Sequence, residues 1–351
     1  MSGRYGIRAA MAVGLAALTA TGCMTIGGGR RMNVEGDSLV LAKTMPGNLC
    51  FARIVPGSLT VRSTYERGGE STITYEEGVD YTVDYRQGAV ARTAESRIPD
   101  FTTNVLYGQK DFDHTKFPGF GNSPFFVFAD YKTRRAFALT EETDQSALLA
   151  KSREKLEAGG PFKILAYGDS ITAGGDASSV PLRFQQRYGR YLAERFPAAR
   201  IEVENGATGG DSTVQGLARL EEKVLTREPD LVLLGFGMND HNLHGVPPET
   251  FEENLLTLVA QIRERTGADI MLFSTFPPNP DWHHSSHRME VYAAATRRAA
   301  ERGSCAYADV FSVWQKVLQR KDVPSLLGNN INHPNDFGHW LYFEALKAVR
   351  F

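Results

Sequence analysis

Two periodicities divide the chain. From about residue 38 to 131, apolar and polar positions alternate, as in 58–63 (SLTVRS), 71–75 (STITY), 80–85 (DYTVDY) and 124–129 (PFFVFA). A period of two in β-branched and aromatic residues fits short strands, and 67–69 (RGG) and 86–88 (RQG) supply the turns. The pattern predicts a β-sandwich or small barrel, a β-rich accessory domain over 38–140. Residues 141–158 read as a helix stopped at Gly159-Gly160-Pro161, so 141–160 is taken as a linker helix. Beyond Pro161 the period changes. Near-continuous apolar runs at 163–167, 201–204, 230–235, 269–274 and 306–308 alternate with amphipathic segments near 181–195, 213–226, 249–265 and 288–302. Two helices near 310–319 and 337–349 finish the chain. Such alternation over 161–351 predicts an α/β fold, a parallel sheet covered by helices on both faces. In such a sheet the site lies at the carboxyl ends of the strands.

The first residues follow neither pattern. Arg4 and Arg8 precede an apolar run from Ala9 to Leu18 and small residues up to Gly22, the layout of a secretory signal peptide over 1–22. The run is too short for a bilayer span, which needs about 20 apolar residues. Cys23 after the small residues resembles the lipobox of bacterial lipoproteins, with Ala20 where leucine is usual. That resemblance implies lipidation of Cys23 and an exported, membrane-anchored protein, periplasmic or at the cell surface; without lipidation the protein is secreted. Residues 23–37, rich in glycine to Gly29, are expected to form a flexible tether.

Composition removes several classes of function. With 42% hydrophobic and 23% charged residues the chain can bury a core, which excludes disorder over most of its length. A net charge of −2 leaves no electrostatic footprint for nucleic acid. Cys50 and Cys305 fall in different predicted domains and are expected as buried, unpaired thiols; no Cys/His zinc spacing occurs.

Four loops follow the strands of the second half. The first is Gly168-Asp169-Ser170, a serine at a strand-to-helix turn, where a nucleophile's hydroxyl can be exposed. It is a common turn, and the chain repeats it at Gly210-Asp211-Ser212. The second loop, from Asn205 to Thr213, carries Gly210, whose backbone N–H can approach a substrate closely. The third ends in Met238-Asn239-Asp240, where Asn239 offers an amide donor or a turn cap. The last runs from Asn330 to His339 and places His333 before a proline, ahead of the terminal helix, as a candidate general base.

Together, in order and spacing, these blocks resemble the SGNH hydrolases, the GDSL-type esterase/lipase superfamily, over roughly residues 162–350. The resemblance implies a flavodoxin-like three-layer α/β/α domain and a serine carboxylic-ester hydrolase. It makes Ser170 the nucleophile and His333 the general base, with Ser170, Gly210 and Asn239 forming the oxyanion hole. It implies no cofactor and no metal. The family's usual aspartate three residues before the catalytic histidine is here Asn330. Three arrangements remain open: a backbone or Asn330 carbonyl orients His333, another carboxylate such as Asp336 does so, or the site is impaired.

Other residues offer rival chemistry. His283, His284 and His287 cluster in a proline-rich loop without a helix signal or carboxylate ligand, so a solvated loop is favoured over a metal site. Trp282 suits stacking on a sugar or packing, and the aromatic stretch 112–128 suits a cleft wall or core. His241 and His339 flank the motif blocks as structural residues. Export with an accessory β-domain points to an acylated carbohydrate as substrate, O-acetyl groups above all. A lipase or lysophospholipase is the alternative, and so is a non-catalytic glycan-binding lipoprotein on the same scaffold.

Overall fold

The computed structural model describes residues 30–351. The expected signal peptide and the lipidation candidate Cys23 lie outside the described residues.

The amino-terminal half is all-β. Strands β1 (Arg30–Leu39), β2 (Gly47–Asn48), β3 (Thr60–Arg62), β4 (Thr74–Tyr75), β5 (Tyr81–Asp84), β6 (Ala89–Arg92) and β7 (Val127–Ala136) form two antiparallel sheets. Their orders are β1-β7-β3-β4 and β2-β6-β5. The tether expected over 23–37 therefore stops short, because β1 pairs with β7 from Arg30 onward. Val34 faces the core opposite Tyr131. The register then shifts between Val34 and Asp37. Gly36, at φ +67°, lies in that bulge, and a Cβ there would fall 2.2 Å from the Tyr65 ring.

Residues 141–160 are only partly helical. Strand β8 (Thr143–Asp144) comes first, then a tight turn at Ser146–Leu149, and then helix α1 (Ala150–Ala158), which ends at Gly159. β8 pairs with the last strand, β14 (Val349–Arg350), so this segment is stitched to the end of the chain.

The second half is the α/β domain that the sequence predicts. Strands β9 (Gly160–Gly168), β10 (Ala199–Asn205), β11 (Leu231–Gly235), β12 (Asp269–Phe273) and β13 (Ala306–Ala308) form one sheet of order β10-β9-β11-β12-β13, parallel throughout. That is the 2-1-3-4-5 order of a flavodoxin-like sheet. The helices are α2 (Ser170–Ala173), α3 (Phe184–Arg195), α4 (Thr213–Lys223), α5 (Pro248–Thr266), α6 (Met289–Arg302), α7 (Val310–Leu318) and α8 (Asp336–Lys347). All five residues of β11 are buried, as a central strand covered on both faces requires.

The two halves do not keep separate cores. One cluster of buried side chains runs from Val34, Val61 and Tyr131 into Ile164, Leu233 and Phe337. Polar contacts reinforce the join: Ser38 Oγ donates to Ser325 O (2.5 Å) and Arg320 Nε to Leu49 O (3.1 Å). Cys50 and Cys305 are both buried free thiols. Among the described residues, no helix is long and apolar enough to cross a membrane.

Candidate active site

β9 delivers Ser170 to the sheet's carboxyl edge. Neighbouring backbones crowd there: a Cβ on Gly168 would lie 2.0 Å from Gly235 O, so only glycine fits. Asp169 caps the one-turn helix α2, its carboxylate accepting from Ile171 N at 2.9 Å. Asp169 is wholly enclosed, and burial pushes its carboxyl up to about 7.

Ser170 Oγ and His333 Nε2 lie within hydrogen-bond distance, 2.9 Å apart. With Nε2 accepting, the ring's own proton sits on Nδ1. The loop that presents His333 is shaped largely by Asn329, whose Oδ1 accepts from the backbone N–H groups of Ile331, Asn332 and His333 at 2.9–3.0 Å. One side chain thus shapes the loop, a role that the sequence reading missed; an Asx residue four positions ahead of the histidine was the available signal.

Asn330 does not serve His333. It adopts φ +58°, and both its carbonyl and its side-chain oxygen face Asn279 Nδ2, at 2.8 and 3.4 Å. Asp336 is engaged elsewhere too, accepting from Ser178 N at 2.8 Å. The carboxylate facing the imidazole is Asp176, with Oδ2 3.5 Å from His333 Nδ1. It lies in the loop after α2, a position that the sequence reading did not single out.

The remaining blocks converge on the same edge. Gly210 has φ +82° with open space where a Cβ would be, and the adjacent Gly209 lies over Ser170, a Cβ there falling 3.8 Å from that of Ser170. Asn239 Nδ2 donates to Asp211 O at 2.9 Å, tying the loop after β11 to the loop after β10. Asp240 strengthens that tie by accepting from Thr213 N (2.9 Å) and Thr213 Oγ1 (2.6 Å); burial pushes its carboxyl up to about 6. His241 and His339 are both enclosed, and burial pushes their rings down to about 4 and about 3. They stay neutral, His339 Nε2 donating to Gly174 O at 2.9 Å.

A small apolar cluster joins the β-rich half to the α/β half. Leu106, Phe112, Trp282 and Ile331 pack together, with Phe117 and Phe120 against them. Trp282 is 5% exposed and its Nε1 donates to His114 Nδ1 at 3.1 Å, so it packs rather than presenting a stacking face. His283 pairs with Asp111 at 2.8 Å. Asp113, His114 and His284 bring ligand atoms within 4.8 Å of one another, but Trp282 already holds Nδ1 of His114.

Comparison with known proteins agrees with this layout. The sequence model of the GDSL-like lipase/acylhydrolase family matches residues 166–341. An arylesterase of Vibrio mimicus is 32% identical over 136 residues, 37% of this chain and 63% of the relative. The chain thus spans under two thirds of that relative's length. An acetylxylan esterase of Geobacillus stearothermophilus is 23% identical over 214 residues, 56% of this chain and 97% of the relative. Among solved structures, a two-domain esterase active on acetylated mannans superposes with a TM-score of 0.50 at 23% identity, covering 60% of this chain and 54% of that one. That likeness is one of fold.

Proposed function

Because the chain belongs to the GDSL-like lipase/acylhydrolase family, we propose that it hydrolyses carboxylic esters through an acyl-enzyme on Ser170, with O-acetylated carbohydrate as the substrate class. The carrying observation is the 2.9 Å contact between Ser170 Oγ and His333 Nε2 at the carboxyl edge of the sheet.

In this reading Ser170 Oγ attacks the ester carbonyl carbon while His333 Nε2 takes its proton. The oxyanion is met by the N–H groups of Ser170 and Gly210 and by the Asn239 amide. Collapse breaks the bond to the alcohol, which leaves with the proton from His333. Water then attacks the acyl-enzyme, again losing its proton to His333, and the carboxylic acid is released. Gly210 suits the oxyanion role in having open space where a Cβ would be, and the adjacent Gly209 lies against Ser170; Asn239 is held to the same loop through Asp211 O.

Similarity to an acetylxylan esterase supports a short acyl group on a sugar. The test is hydrolysis of p-nitrophenyl acetate, butyrate and octanoate, followed by acetate release from acetylated xylo- and manno-oligosaccharides, each beside Ser170→Ala. Ser170-dependent turnover favouring acetate, with acetate released from the oligosaccharides, is expected. Preference for octanoate would make lipids the substrate. No Ser170-dependent turnover of any ester would reject hydrolysis.

The same proposal places the protein outside the cytoplasm, exported by residues 1–22 and anchored through acylated Cys23. Labelling with a tagged fatty acid, lost in Cys23→Ala, tests the anchor.

A further inference from the structure

We propose that Asp176 is the carboxylate that orients His333, taking over from the loop after α2 the task for which residue 330 carries an amide. This inference rests on the hydrolase reading above.

The geometry is specific. Asp176 Oδ2 lies 3.5 Å from His333 Nδ1, on the side of the ring away from Ser170 Oγ. That oxygen is buried and makes no hydrogen bond among the described residues. A buried acceptor left unpaired carries its desolvation cost uncompensated, and the imidazole N–H is the group placed to relieve it. The contact is longer than a hydrogen bond, as such contacts often are before substrate arrives, and the positive charge formed on the ring during reaction would draw the two together.

The surroundings are shaped to hold Asp176 there. A Cβ on Gly328 would fall 2.2 Å from the Asp176 Cβ, so the loop of His333 leaves this gap for the Asp176 side chain. Gly175, at φ +40°, brings its backbone against the histidine; a Cβ there would sit 3.5 Å from His333 Cβ. Helix α8 then clamps the loop on both sides of Asp176: His339 Nε2 donates to Gly174 O, and Asp336 Oδ1 accepts from Ser178 N.

The other charged or titratable groups around the ring do not fill the role. Asp169 lies beneath, enclosed and committed to capping α2. His339 lies behind and is neutral. Asp336 is spent on Ser178, and Asn330 faces Asn279. As a positioning residue, Asp176 would fix the tautomer with the proton on Nδ1, leaving Nε2 free to accept from Ser170, and would stabilise the imidazolium.

The test compares Asp176→Asn with the parent in p-nitrophenyl acetate hydrolysis across pH 5–9, with thermal unfolding as the check on folding. The expected result is a fall in kcat of about 10²- to 10⁴-fold with KM little changed, the upper figure being the loss when such an acid becomes an amide. The downfield Nδ1–H proton signal of His333 should also be lost, since the variant no longer holds that proton. Unchanged kcat would overturn the proposal while leaving Ser170-dependent hydrolysis intact. A lower kcat with that signal retained would also overturn it, marking Asp176 as merely structural. If the parent shows no Ser170-dependent turnover, it is the hydrolase reading that fails. Proton NMR then decides for Asp176: a downfield Nδ1–H signal of His333 in Ser170→Ala, lost in Ser170→Ala/Asp176→Asn, supports the contact, and a signal indifferent to Asp176 refutes it.

Discussion

Lys321 Nζ lies 2.7 Å from Asp37 Oδ1, and neither side chain has any solvent exposure. The pair joins β1 to the segment that runs on to His333. Its remaining valences are met: Lys321 Nζ also donates to Ser38 O at 2.7 Å, while Asp37 Oδ2 accepts from Cys50 N (2.6 Å) and Tyr131 Oη (2.7 Å). The β-rich half is therefore bonded, as well as packed, to the loop that carries His333, the proposed general base.

Removing one partner of this pair strands the other charge in the interior. Lys321→Met is expected to lower unfolding stability by about 3–5 kcal/mol in urea titrations, and Lys321→Met/Asp37→Leu to recover a large part of that loss. Equal stability of parent and Lys321→Met would show that the pair does not hold the halves together.

The oxyanion assignment has its own signature. Asn239→Ala is expected to cut kcat by about 10²–10³-fold with a small change in KM, because the lost donor serves the transition state more than the bound ester. A change confined to KM would instead assign Asn239 to substrate binding, and its tie to Asp211 O would be its structural role.

Gly328→Ala tests the packing behind His333 without touching a polar group. The added methyl would collide with the Asp176 Cβ, so either the Asp176 loop or the His333 loop must shift. A displacement of about 1 Å at a catalytic group can cost about 10²-fold, and that is the loss expected in kcat, with the circular dichroism of the fold retained. Full activity would mean that the spacing between these loops is not critical.

The buried carboxyl of Asp169 gives stability a defined pH dependence. Burial raises it from an ordinary 3.8 to about 7. The folded state therefore holds a proton that the unfolded chain has released. Its contribution is full below about 3.8 and is lost as pH rises through about 7. Asp169→Asn keeps an oxygen for the α2 cap but has no proton to lose. Its stability relative to the parent should grow between pH 4 and 7, measured by urea unfolding at several pH values. His241 and His339 act in the opposite sense but are common to both proteins, so they cancel in the difference. A pH-independent difference would contradict an enclosed, raised carboxyl.

Much of this molecule was legible in its sequence. The apolar run 230–235 could only be a strand covered on both faces, and its neighbours follow the same rule, so the α/β sheet emerges from periodicity alone. Ser170 and His333, the proposed nucleophile and base, were marked by motif and position and meet within hydrogen-bond distance. What failed to show was long-range. Nothing in the sequence around Asp37 announces the buried lysine that pairs with it from far along the chain. The bulge at Gly36 also breaks the alternation by which β1 would have been recognised as continuous with the sheet. Asn330 occupies the expected spacing, but its left-handed backbone turns it toward Asn279, and spacing carries no information about that rotation. Asp176 sits in a polar, glycine-flanked loop that looks like any other surface turn until the fold brings His333 beside it.

The most direct measurement is labelling of the intact protein with a fluorophosphonate, which bonds to a serine oxygen only when a neighbouring base activates it. Peptide mapping should find a single adduct, on Ser170, formed rapidly in the parent and abolished in His333→Ala. An adduct on another serine, or none on Ser170 in a folded protein, would contradict the assignment of Ser170 and His333 as the hydrolytic pair.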